Sequence, residues 1–168
     1  MRMKVVSTCV LFCIAFLSSV EAAAQKRTVV GKICGDPTQV CRTRADFQPY
    51  ELPFDFGKNN VISQSELFYA VIVKSVKLKS NDSNCEKAIT EKERLDAQKL
   101  FPRNMVFVMR CWETGQSSYT NVVDGVSFMG IYAGQTQKEA NAFLSRMKSS
   151  GKFTDAAIRR MRIQINGT

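Results

Sequence analysis

The chain has 168 residues, with 24 lysines and arginines against 15 acids, six cysteines, no histidine and a net charge of +9. Without histidine it lacks the commonest general base and the commonest nitrogen ligand for a metal, which excludes His-based triads and His-ligated metal centres. The length suits one domain with its own core.

The chain opens like an export signal. Arg2 and Lys4 give a basic start, and residues 5–20 form a mostly apolar run. That run is too short and too rich in Ser, Thr and Cys for a membrane span. Ala22 and Ala24 supply the small-x-small pattern of a cleavage site, so cleavage is expected before Gln25. Cys9 and Cys13 leave with the signal. The mature chain keeps 22 basic and 14 acidic residues, a charge of +8, which draws it toward anionic polymers. No later apolar run reaches spanning length, so a periplasmic or secreted protein without a transmembrane segment is expected. Cys34, Cys41, Cys85 and Cys111 remain, an even number that reads as two disulfides in an exported chain. Three pairings are possible. Cys34–Cys41 is favoured because both lie in one loop-like segment, and Cys85–Cys111 because it ties two elements of the main domain. A zinc site is the rival reading, without a CxxC or a His to support it.

Residues 25–64 read as an irregular arm. Pro49 and Pro53 forbid a regular helix there, and Phe47, Tyr50, Phe54 and Phe56 are spaced along it. These aromatics are expected to lie on the main domain. Residues 67–78 alternate as a strand, with Tyr69, Val71 and Val73 on one face and Ala70, Ile72 and Lys74 on the other. Residues 90–100 read as a helix that opens with a Thr90/Glu93 capping box, offers Ile89, Leu95 and Leu100 as an apolar face, and ends at Pro102. Residues 105–112 are a second strand, residues 113–124 a polar loop and residues 126–132 a third strand. A second helix follows, opened by Thr136 and Glu139 as another capping box. It carries Ala140, Phe143, Leu144 and Met147 on one stripe and stops at Gly151. Residues 157–165 make a fourth strand.

The order from residue 65 to the end is β-α-β-β-α-β. It predicts an α+β fold, a ferredoxin-like or RNP-like sandwich: one four-stranded antiparallel sheet with both helices on one face. The other sheet face is left open, or is covered in part by the arm.

The stretch Tyr69-Ala70-Val71-Ile72-Val73-Lys74-Ser75-Val76, and the strand-to-helix unit running from Val126 to Lys148, resemble the SPOR family, the sporulation-related repeat domain of bacterial envelope proteins. The resemblance covers residues 67–165. In the first strand Ile72 stands where that family has Gln and Lys74 where it has Gly, while Ser75 matches. The resemblance implies an exported, non-catalytic domain that binds peptidoglycan glycan strands across the open sheet face. Ile72 and Lys74 would lie on that face by alternation, with Ser75 as a further ligand-binding position, Lys74 meeting a muramic acid carboxylate and Trp112 stacking on a sugar. The alternative is a periplasmic or secreted protein-interaction domain of the same fold without glycan binding.

No catalytic constellation is legible. There is no Gly-rich phosphate loop, HExxH or GxSxG, and oxidised cysteines leave no thiol nucleophile. The chain is expected not to be an enzyme, to need no cofactor or metal, and to be a monomer. Arg159, Arg160 and Arg162 form a basic C-terminal cluster on a sheet of a kind that RNA-binding modules also use. Export and the missing RNP pattern argue against nucleic acid as a partner. Peptidoglycan glycan or an envelope protein is expected instead.

Overall fold

The computed structural model describes residues 41, 43–48, 51–56, 62–78, 85–111 and 117–166. The expected signal peptide lies outside them. The strands are β1 (Phe54–Phe56), β2 (Ile62–Ser65), β3 (Phe68–Lys77), β4 (Val106–Met109), β5 (Ser117–Tyr119), β6 (Val126–Gly134), β7 (Ala157–Met161) and β8 (Ile163–Asn166). The helices are α1 (Glu91–Leu100) and α2 (Gln137–Ser149), with a single 3-10 turn at Cys85–Lys87. The class is α+β, as the sequence predicts.

Two sheets are present rather than one. The main sheet has the order β4-β6-β3-β7 and the second β1-β2-β8-β5, and every pairing is antiparallel. The expected single sandwich sheet is therefore only half of the β-structure. The difference arises because two chain segments leave one sheet and enter the other. β2 runs through Glu66 and Leu67 into β3, and the predicted fourth strand breaks at Arg162 into β7 and β8. Strands that bend between sheets make the corner of a two-layer packing. β5 comes from the polar stretch expected to be a loop, and β1 and β2 from the stretch expected to be irregular. Strands of three or four residues carry too little alternation to stand out in a sequence.

Both helices pack on one face of the main sheet. Val71, Val106, Val108, Met129 and Ile131 point to that side and meet Ala97 of α1 and Ala140, Phe143 and Met147 of α2. Each helix starts at a complete capping box. Thr90 accepts from the Glu93 N–H and Thr136 from the Glu139 N–H, while each Glu carboxylate accepts from its own cap residue's N–H. Gly134 ends β6 at φ 122°, where an added Cβ would stand 2.7 Å from Glu139 Cβ. The tight entry into α2 needs that glycine.

The inward face of α1 matches the prediction only in part: Ile89, just before the helix, is buried in the core as expected. Leu100 is exposed, and the residues turned inward are Arg94, Ala97 and Gln98. The two polar side chains serve the edge strand β4. Gln98 Oε1 accepts from the Val106 N–H at 2.9 Å, and Arg94 Nη1 donates to the Val106 carbonyl at 3.1 Å. Buried polar groups so partnered avoid the desolvation penalty.

The opposite face of the main sheet is filled. Phe68, Ala70, Phe107, Phe128 and Met161 meet Tyr119 and Ile163 of the second sheet and Phe47 and Leu52 of the arm. Phe107 is the hub. Its ring stacks on Tyr119 at 5.2 Å between centroids and lies 4.9 Å from Phe47. It also presses on the β6 backbone at Gly130, where a Cβ would come within 2.7 Å of its ring.

Cys85 and Cys111 form a disulfide with Cα atoms 5.3 Å apart. Cys41 is also disulfide-bonded; its expected partner Cys34 lies outside the described residues.

Candidate functional site

The face expected to be open is core. Ile72 is half-buried against the aromatic cluster of that layer. The alternation predicted for β3 holds through Ile72 and then fails. A register shift between Ile72 and Lys74 marks a β-bulge, and one extra residue turns all that follow to the other side. Lys74 thereby leaves the face of Ala70 and Ile72 and joins the helix side, where its Nζ donates to Glu93 Oε1 at 2.5 Å. That contact, with the Thr90 N–H, holds the Glu93 carboxyl down at about 2. Ser75 is exposed near the end of β3. Trp112 lies outside the described residues. Ile72 and Lys74 are thus separated by the sheet.

The face left to solvent belongs to the second sheet, and residues that the sequence reading passed over compose it. Registers align Asp55 with Gln64, Gln64 with Gln164, and Gln164 with Ser118, a single row across all four strands. Their neighbours in sequence point the other way, with Phe54, Tyr119, Ile163 and Ile165 packed in the core and Ser65 buried beside them, while Phe56 at the sheet edge is exposed. Alternation therefore puts the row outward. Ser118 donates to Gln164 Oε1 at 3.4 Å, and Arg162 Nη1 donates to Gln64 Oε1 at 3.3 Å. Both glutamines thus receive on their oxygens and keep their NH2 groups free of protein partners among the described residues. Directly paired residues of adjacent strands bring such groups within about 5 Å of each other. Ile62, 54 % exposed, and Asn166 flank the row on the same face. The row offers amide donors, an arginine and an apolar side chain. It offers no nucleophile paired with a base.

A second polar cluster joins the arm to α1 and β4. Glu91 accepts from Arg94 and from Arg110, and both contacts pull its pKa below the usual range. Arg110 also donates to the Ile89 carbonyl at 2.8 Å. Asp46 stands nearby. Desolvation of its carboxyl raises its pKa, against the pull of Arg110 and Arg94. With Glu91 saturated by two guanidiniums, this cluster is a clamp and not an acid–base pair. No group of three or more Cys, Asp or Glu side chains that could hold a metal occurs among the described residues. No helix there is long and apolar enough to cross a membrane.

No protein-family model, curated protein or solved structure matches the chain. The functional reading therefore rests on the residues themselves.

Proposed function

We propose that the mature chain is an exported, non-catalytic binding domain of the bacterial cell envelope, which holds peptidoglycan glycan strands on the outward face of its second sheet. The observation that carries this reading is the Asp55–Gln64–Gln164–Ser118 row, with two carboxamides free to donate. Sugar hydroxyls and acetamido carbonyls need such donors, Arg162 suits a carboxylate, and Ile62 suits an apolar sugar face. The signal-like start and the Cys85–Cys111 disulfide support export. In this reading the β-α-β-β-α-β unit, with sheet order β4-β6-β3-β7, is a ferredoxin-like sandwich enlarged by a second sheet. Its resemblance to the SPOR family extends to the scaffold, and the ligand face has moved.

The deciding experiment is a pull-down of the mature protein on purified peptidoglycan, intact and amidase-treated. Retention is expected on at least one material, with at least tenfold loss in a Gln64→Ala/Gln164→Ala variant and no loss in Lys74→Ala. Absence of retention on both materials ends the reading. A protein-interaction domain is the second reading. It is favoured by the burial of the main-sheet face that the resemblance would use for glycan. In that case, cross-linking in the envelope captures a protein and leaves sacculi unlabelled.

A further inference from the structure

The two edges of the main sheet are treated differently. At β4 both outward groups of Val106 and the Val108 N–H are closed. Arg94 and Gln98 take the Val106 carbonyl and N–H, and the Val108 N–H donates to the Ala45 carbonyl of the arm at 3.0 Å. At β7 the closure stops part-way. The Arg162 carbonyl accepts from the Thr120 N–H at 2.9 Å, and the Arg160 carbonyl from Asn121 Nδ2 at 2.7 Å. These contacts show that Arg160 turns its backbone groups away from β3. In an antiparallel ladder the direction alternates, so Ile158, two residues on, also presents its N–H and carbonyl outward. Neither has a partner on that side among the described residues.

Charge is distributed with the same asymmetry. Every ion pair among the described residues involves the arm, β3, α1 or Arg110. None involves a residue beyond 111. Arg159 and Arg160 are exposed on the open edge, with Arg146, Lys148 and Lys152 on α2 and the turn after it, and none of the five forms an ion pair among the described residues. Arg160 lies over the Tyr69 ring, 5.9 Å from its centroid.

We infer that the outer edge of β7 around Ile158, flanked by Arg159 and Arg160, is a docking site for an extended acidic polypeptide segment, which adds to the main sheet as a further strand. Backbone groups of an unpaired edge recognise another backbone, and the unneutralised arginines select its charge. A second copy of this chain is disfavoured as occupant, because Arg159 and Arg160 would face their own kind; edge cations act as gatekeepers against such pairing. An anionic glycan would satisfy the charge but supplies no strand ladder. The inference is independent of glycan binding, since the Gln64–Gln164 face and this edge belong to different sheets.

The test uses the mature chain and three probes: a synthetic peptide of alternating Glu and Val, the same peptide fully N-methylated along its backbone, and polyacrylate of equal charge, which has no backbone amides. Binding and amide exchange are followed by NMR at low salt. The Glu-Val peptide is expected to slow exchange of the Ile158 N–H at least tenfold. N-methylation is expected to weaken binding at least tenfold, as is an Arg159→Glu/Arg160→Glu variant whose circular dichroism is unchanged. The inference is overturned if the peptide does not bind, if Ile158 exchange is unaffected when it does, or if the N-methylated peptide and polyacrylate bind as well.

Discussion

Tyr119 is the residue whose surroundings carry the sharpest consequence. Its ring is locked between Phe107 and Phe128, yet its buried hydroxyl has no hydrogen-bond partner among the described residues, and burial raises its pKa well above the usual range. A buried hydroxyl without a partner is a net cost. Tyr119→Phe keeps the ring and removes that cost, so it is expected to raise unfolding free energy by about 1 kcal/mol, read from urea denaturation. A loss of stability would show that the hydroxyl is bonded. Gln98 is the converse case. Its side chain satisfies the Val106 N–H and the Phe101 and Asn104 carbonyls at once. Gln98→Leu strands all three and is expected to cost roughly 2–4 kcal/mol. A change under half that size in the same assay would mean that water replaces the amide.

At the scale of elements, α1 is tied down by polar contacts more than by an apolar stripe. Its N-terminus is anchored to β3 through Glu93, which serves the cap and binds Lys74. The Glu93 pKa falls from an ordinary 4.5 to about 2 on folding. A depressed folded pKa contributes stability that is fully present above 4.5 and is lost as pH falls toward 2. Both side chains are partly exposed, which limits the contribution to ~1 kcal/mol or less. Lys74→Met is therefore expected to lower stability slightly at pH 6, with the deficit shrinking toward pH 2. A deficit that stays constant across that range would assign the loss to packing. α2 behaves as its pattern predicts: Ala140, Phe143 and Met147 are buried, and Gly151, at φ 72°, follows the last turn with its N–H on the Lys148 carbonyl at 3.0 Å.

For the whole molecule, the two sheets and the helix layer enclose two cores on either side of the main sheet. The Cys85–Cys111 bridge closes a loop of 26 residues that contains α1 and β4. Cross-linking a loop of that size removes about 3–4 kcal/mol of unfolded-state entropy. Replacing both cysteines with serine is expected to lower stability by roughly that amount, seen as a lower urea midpoint. An unchanged midpoint would show that the unfolded chain gains no freedom from losing the bridge. With both main-sheet faces filled, the second sheet and the β7 edge are the surfaces left to a ligand.

Local signals carried much of this protein. Capping boxes at Thr90 and Thr136, the α2 stripe, the alternating run of β3 and the apolar run of β6 are legible because each depends on residues a few positions apart. The α+β class follows from their order. What lay beyond the sequence depended on distant partners. The β-bulge that moves Lys74 across the sheet is set by the register against β6, and the break at Arg162 by the need of one segment to serve two sheets. Arg94 and Gln98 look like surface residues until β4 is seen to present its edge to them. The Gln64–Gln164 pair joins residues far apart in the chain, and no local pattern marks it. Burial, register and exposed edges are properties of the packed chain, so only the tertiary structure could decide which face is core and which is left for a ligand.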